Sequence, residues 1–267
     1  MPPNIALIGG SGIYDFPAEK FSEKKIETPY GTAKISNYSL QKKNEFVFLA
    51  RHGKEHSTPP HEINFRANIY ALFKLGIRRI IATSAVGSLD RNLKPGQFAL
   101  PNQFIDFTSK RPATFFDGDF SVTLPNKLTR TGVIHTDMTE PYCSELRQIL
   151  GSSADKLDIQ LHEQGVYVCT EGPRFETAAE IKAYKLLGGT MVGMTSATEC
   201  ILARELGMCY CTLALITNFA AGIQEAVSAE EVFKTFAKQT PKIQKLISKT
   251  IPKIPTGSFS CSCLPNK

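Results

Sequence analysis

Four short segments of this 267-residue chain carry residue types suited to holding an anion. Gly9-Gly10-Ser11-Gly12 follows an apolar run; glycines let backbone N–H groups approach an anion, and Ser11 adds a hydroxyl donor. The pattern is neither a P-loop nor GxGxxG, so a tight turn explains it about as well. Arg51, followed by His52, closes a second apolar run, and a guanidinium pairs bidentately with phosphate oxygens. A lone Arg is more often a salt-bridge partner. Ser84 and Ala85 offer a hydroxyl and a backbone amide after a third run. Met194-Thr195 precedes a helix signal, and helix N-termini favour anions. Each segment has an ordinary structural explanation when taken singly. Three such segments at three strand ends are harder to dismiss.

A second set of residues has a different chemistry. Phe175 and Glu176 set an aromatic ring and a carboxylate just before a capped helix, and Asn218 closes the strand that begins near Cys209. Core packing accounts for Phe175, and helix-end or turn chemistry for Glu176 and Asn218, equally simply. The histidines show no HExxH spacing, and the seven cysteines form no paired CxxC knuckles, so the spacing gives no zinc site and no metal is expected.

The elements that must position these groups follow from periodicity. Uninterrupted apolar runs at 5–8, 46–50, 80–83, 165–170 and 209–217 suit strands buried on both faces. Ile63, Ala67, Tyr70 and Ala71 share one helical face, with Gly76 as a stop signal. Three capping-box patterns start helices: Thr177 with Glu180, Ser196 with Glu199, and Ser228 with Glu231. The second of these helices should stop near Gly207 and the third near Pro252. Residues 102–141 have weak periodicity and read as irregular loops. Alternating strands and helices predict an α/β sandwich, in which ligands bind at the carboxyl ends of strands. The predicted domain spans 1–252, and a tail over 253–267 is rich in Pro, Ser and Cys.

Composition narrows the function classes. With 42% hydrophobic residues the chain can bury a large core, and no window approaches the ~18 apolar residues of a membrane span. The start lacks a signal-peptide pattern, so a cytoplasmic location is expected. The net charge of +6 is spread along the chain and reads as a solvated surface. No basic run is interleaved with aromatics, which argues against a nucleic-acid partner.

Together the motifs GGSGIYD, ETPYGT, LARHG, ATSAVGSL, FIDFTSKRP, TEPYC, CTEGPRFETAAEI, VGMTSATE and LITNFAAG resemble the trimeric purine nucleoside phosphorylase and methylthioadenosine phosphorylase family. The resemblance covers about 5–252. It implies a three-layer α/β sandwich around a central, mostly buried mixed sheet of the phosphorylase/hydrolase-like kind. It also implies phosphate among Ser11, Arg51, His52, Ser84, Ala85 and Thr195, Met194 under a ribose, and Phe175 stacked on a purine. His135 would reach the 5′ end of a nucleoside in a neighbouring subunit, making a trimer or a dimer of trimers. Inorganic phosphate is a co-substrate in this family, and no cofactor is needed. Adenine-preferring members carry Asp where this chain has Asn218 and Ala220, and Ser where it has Glu176. Those acting on 6-oxopurines carry the Glu and the Asn, so the resemblance implies cleavage of inosine and guanosine. The positions that receive a methylthio group fall on Ala229 and Val232, both apolar, which keeps S-methyl-5′-thioinosine or S-methyl-5′-thioadenosine as the alternative substrate. Some heat-stable relatives end in a Cys-x-Cys pair and form disulfides. That resemblance suggests Cys261 pairing with Cys263 or another cysteine, and Cys143 with Cys209; an accessible, disordered tail with two free thiols is the other reading.

Overall fold

The computed structural model describes residues 4–41, 44–53, 57–257 and 260–265. In chain order its strands are β1 (Ile5–Gly9), β2 (Glu19–Thr28), β3 (Gly31–Leu40), β4 (Asn44–Ala50), β5 (Arg79–Ser88), β6 (Phe98–Ala99), β7 (Gln103–Asp106), β8 (Ser121–Thr123), β9 (Thr129–Thr131), β10 (Leu161–His162), β11 (Val166–Cys169), β12 (Met191–Gly193) and β13 (Cys209–Phe219). The α-helices are α1 (Phe65–Lys74), α2 (Ser144–Asp155), α3 (Ala178–Leu186), α4 (Ser196–Glu205) and α5 (Ala229–Thr250).

Successive residues of a strand point to opposite faces, and this period of two builds the layers. On one face, Leu7, Phe48, Ile81 and Leu213 pack with Leu146 and Leu150 of α2 and with Phe236, Ile243 and Leu246 of α5. On the other face, Ala6, Ile8, Val47, Leu49, Ile80 and Tyr210 pack with Phe65, Ile69 and Leu72 of α1 and with Leu202 and Ala203 of α4. Each fully buried aliphatic side chain contributes on the order of 1.5–3 kcal/mol. The sheet runs β10-β6-β13-β5-β1-β4-β3-β2, with β12 joined to β5, β11 to β12, and β7 to β11. Pairing of β1 with β4 and β5, and of β5 with β13, is parallel; β3 with β4 and β6 with β13 are antiparallel. The expected three-layer sandwich with a central mixed sheet is therefore the observed fold.

Several local expectations need correction. Residues 102–141 are not simply loops: β7 pairs in parallel with β11, and β8 with β9 forms a small separate hairpin. All four residues of β7 are half-buried, and a strand that short shows no usable period. The β2–β3 hairpin had no apolar signal because β2 is a largely exposed edge strand rich in Lys and Glu. Charged edges of this kind resist pairing with another chain.

One of the three capping boxes forms in full, and a second forms by half, its Glu231 carboxylate accepting from Gln224 Nε2 instead. Thr177 and Glu180 cap α3 reciprocally, and Ser228 accepts from Glu231 N at the start of α5. The third does not form. Thr195 is the N-cap of α4 and Ser196 its first residue, with the Ser196 hydroxyl 2.6 Å from Thr212 Oγ1 and 2.8 Å from the Tyr142 hydroxyl. Glu199 is turned to a different partner, described below.

The tail also departs from the accessible segment expected from its composition. Cys263 is 3% exposed within the α2–α5 core, and Leu264 packs against the opposite-face core. Asn126 Nδ2 donates to Pro265 O at 2.7 Å. Two adjacent apolar residues pack the end of this short polar stretch against the two cores, although they are too few to alter its composition.

Candidate active site

A cavity of about 390 Å3 opens at the carboxyl ends of the central strands. Ser11, Arg51, His52, Ser84, Ala85 and Thr195 line one part of it; Phe175, Glu176, Met194, Asn218, Ala229 and Val232 also line it. Of the residues that the resemblance sets against phosphate or nucleoside, His135 alone is not among its lining; it is exposed on the stretch after β9.

The first group is held by backbone that leaves no room for side chains. Gly10 N donates to Thr83 Oγ1 at 2.9 Å, and a Cβ on Gly10 would stand 2.7 Å from Arg51 Nη1. Gly12 has φ +82 and faces the ring of Phe236, so this turn requires glycine twice over. Arg51 N donates to Gly9 O, which draws the end of β4 to the end of β1.

The Arg51 side chain is buried beneath the cavity. Its Nε lies 2.5 Å from Glu199 Oε1, its Nη2 2.9 Å from Glu199 Oε2, and its Nη1 2.8 Å from Thr83 O. Tyr210 Oη donates to Glu199 Oε2 at 2.7 Å. Burial opposes the guanidinium charge, but the adjacent carboxylate overcomes it and holds the Arg51 pKa above its ordinary value. Each terminal nitrogen carries a second hydrogen beyond these bonds. The Ser196–Glu199 spacing that resembled a capping box therefore serves an ion pair with a residue 148 positions away.

Tyr167 is a further residue that sequence reasoning missed. Its hydroxyl lies 3.1 Å from Ser84 Oγ and accepts from Thr195 N at 3.4 Å, joining two of the polar cavity walls. Burial pushes its phenol up to about 12, so it remains a neutral hydrogen-bonding group. A Cβ on Gly193 would collide with this ring, which is why β12 ends in glycine. His52 donates from Nδ1 to Thr58 O across 2.9 Å, since a carbonyl only accepts.

At the other part of the cavity, the β13–β5 pairing runs in register from Cys209↔Arg79 to Ile216↔Val86 and then shifts to Asn218↔Gly87. The extra residue is a β-bulge, a device that re-aims a side chain. Asn218 Oδ1 accepts from the Thr217 hydroxyl at 2.8 Å, and Asn218 Nδ2 donates to Phe219 O at 2.9 Å. The Phe219 carbonyl only accepts, so it fixes which end of the amide is the donor. Glu176 accepts from Thr170 Oγ1 at 2.7 Å. Burial pushes its carboxyl above the ordinary range, opposed by that hydroxyl. Arg111 clamps the surrounding loops: Nε lies 2.9 Å from Glu171 Oε1, and Nη1 donates to Met194 O at 2.5 Å. The FIDFTSKRP motif contains Arg111, but nothing local marks it as a clamp. Val227, Ala229, Val232 and Phe233 form an apolar wall where α5 begins.

Such a cavity can hold a tetrahedral anion beside a flat, polar ring, with an apolar patch nearby. Residues 4–252 match the Phosphorylase superfamily. The chain belongs to that superfamily. Among its superfamily relatives, the 6-oxopurine nucleoside phosphorylase of Pyrococcus furiosus is 53% identical over 262 residues, 98% of this chain and 96% of that protein. The S-methyl-5′-thioadenosine phosphorylase of Pyrococcus abyssi is 43% identical over 263 residues, 98% and 96% of the two chains. A solved superfamily structure, methylthioadenosine phosphorylase from Schistosoma mansoni in complex with adenine, superposes with a TM-score of 0.86 at 33% identity, covering 96% of this chain and 93% of its own. Relatives named for a 6-oxopurine and for a 6-aminopurine are thus both similar over nearly the whole chain.

Proposed function

We propose that this phosphorylase-superfamily chain is a purine nucleoside phosphorylase that cleaves 6-oxopurine nucleosides with inorganic phosphate, giving the free base and ribose 1-phosphate for purine salvage. The observation that carries the reading is the pairing of Glu176 with Asn218 in one cavity, together with the strand-end donors around Arg51. Hypoxanthine and guanine present N1–H, which an ionised Glu176 accepts; adenine presents a lone pair there, so the contact becomes acceptor against acceptor. A site whose buried polar groups go unpaired with the wrong analogue rejects it strongly.

In this reading phosphate is held by Ser11, Arg51, His52, Ser84, Ala85 and Thr195, the ribose lies over Met194, and Phe175 stacks on the base. As the bond to N9 loosens, C1′ gains positive charge and the base gains negative charge. Asn218 donates toward N7 or O6 as that charge grows, which stabilises the transition state more than the ground state. Phosphate, already held beside C1′, then attacks without a protein nucleophile, at the advantage proximity gives. The functional unit is a cytoplasmic homo-oligomer, a trimer or a dimer of trimers, in which His135 reaches a neighbouring subunit's nucleoside. The chemistry calls for no cofactor.

Phosphate-dependent kinetics on adenosine, inosine, guanosine and their 5′-methylthio forms test the proposal. The 6-oxopurines should have the higher kcat/KM, and ribose 1-phosphate should form only when phosphate is present. Adenosine turned over as efficiently as inosine would sink the base assignment, and cleavage at full rate without phosphate would make the protein a hydrolase. The apolar wall formed by Ala229 and Val232 favours one further substrate, S-methyl-5′-thioinosine. Burying its methylthio group contributes on the order of 1 kcal/mol. It should be cleaved at least as efficiently as inosine; a large deficit would reveal a polar 5′ pocket.

The raised Glu176 carboxyl sets a pH dependence. Its ionised form is the acceptor, so kcat/KM for inosine should fall on the acid side with a midpoint above the ordinary 4.5. In Glu176→Gln that limb should vanish along with most activity. A carboxyl whose folded-state pKa lies above its unfolded value holds its proton more tightly when folded. Its contribution to stability falls as pH rises through that window, and at neutral pH the charge is a cost. Glu176→Gln should therefore melt no lower than wild type at neutral pH; an unchanged acid limb in this variant would remove Glu176 from the site.

A further inference from the structure

Four of the seven cysteines converge far from the cavity. The sulfurs of Cys143, Cys209, Cys261 and Cys263 all lie within 4.8 Å of one another, and Cys209 Sγ is 3.4 Å from Cys261 Sγ. Cys143 is the N-cap of α2, Cys209 opens β13, and Cys261 and Cys263 belong to the folded-back tail. Every cysteine is a free thiol, so neither suggested pairing, Cys261 with Cys263 or Cys143 with Cys209, is formed.

We propose that Cys143, Cys209, Cys261 and Cys263 form a structural zinc site that fastens the tail to the start of α2 and of β13. A tetrahedral zinc with Zn–S near 2.3 Å places its sulfurs about 3.8 Å apart along every edge. Two disulfides need two close pairs, whereas a single ion needs all six sulfur pairs close together, and all six are close here. Three of the four ligands are buried and none lines the cavity, which matches a closed structural site with no open position for substrate.

The surroundings suit thiolates. Leu146 N donates to Cys143 Sγ at 3.5 Å from the first turn of α2, and a helix N-terminus stabilises negative sulfur. Arg79, the register partner of Cys209 on β5, is 1% exposed on the same face of the sheet, with its Nε 3.7 Å from Glu145 Oε2. Soft sulfur in a tetrahedron selects zinc over hard cations. Spacing arguments miss this set because only Cys261 and Cys263 are close in sequence; the other ligands arrive through the fold. The remaining cysteines, Cys169, Cys200 and Cys211, are each buried, and burial raises all three thiols.

The test is metal analysis of the full-length protein, purified anaerobically with zinc as the only added metal, beside a Cys261→Ser, Cys263→Ser variant. Wild type should carry one zinc per chain, and cobalt loaded in its place should show the absorption of tetrahedral thiolate coordination. The variant should bind no stoichiometric metal and melt lower by more than about 5 °C, with kcat/KM unchanged at moderate temperature. Three results would each overturn the proposal: wild type with no stoichiometric zinc, a variant that keeps its zinc, or an intact mass lighter by the four hydrogens that two disulfides remove.

Discussion

Arg51→Ala is expected to lose phosphate-dependent turnover and a large part of its folding stability together. The substitution strands Glu199, which is 1% exposed and receives two of the bonds Arg51 makes, leaving it among the described residues with the Tyr210 hydroxyl. Breaking a buried pair from one side costs about 3–5 kcal/mol. Losing the charge-assisted contact to the anion costs a further ~1.5–3 kcal/mol of binding. The two losses separate in a double variant. Arg51→Met with Glu199→Gln removes both charges, so most of the stability should return in denaturant melts while turnover stays absent. A single variant with wild-type kcat and wild-type KM for phosphate would take Arg51 out of the anion site. A double variant as unstable as Arg51→Ala would show that the ion pair is not what Arg51 contributes to folding.

Asn218→Ala should lower kcat/KM for inosine by about 10²–10³-fold, the range seen when a donor aimed at developing charge is removed. The bulge in β13 exists at this position, and the amide's orientation is already fixed by the Phe219 carbonyl, so little else can substitute for it. Asn218→Asp is the sharper variant. An ionised Asp would face the Phe219 carbonyl and the leaving base with acceptors only. It should therefore be active only where its carboxyl is protonated, with its optimum moved to lower pH and its relative rate on adenosine raised. Wild-type profiles on both nucleosides would place Asn218 outside the reaction.

The readable parts of this chain are those whose burial and chemistry are local. Runs such as 46–50 are apolar throughout because both faces of β4 are covered, and Arg51, Ser84 and Asn218, which directly follow three of the runs, line the cavity with Ser11 three residues after a fourth. Ser11, Arg51 and Ser84 could therefore be found without coordinates. Glu199 could not be: a Ser and a Glu three residues apart look the same whether the Glu caps a helix or neutralises an arginine from another strand. Tyr167 reads as core, since only the third dimension brings its hydroxyl between Ser84 and Thr195. The β2–β3 hairpin and β7 escaped for opposite reasons, one being too exposed to look like a strand and the other too short to show a period.

Arg51 is gripped by Glu199 and the Thr83 carbonyl, so in the proposed phosphate site its cost of ordering is spent in folding and not in binding. An arginine free in solvent surrenders ~2 kcal/mol of rotamer entropy when it closes on a ligand. This one surrenders it once, and its donors need no reorientation as charge moves during each turnover. The ion pair also leaves the guanidinium and carboxylate together neutral. Attraction for an anion then depends on where the second hydrogens of Arg51 point, and very little on long-range field. Under the proposed function, anion selectivity is accordingly a matter of shape, set by backbone that the fold has already made rigid.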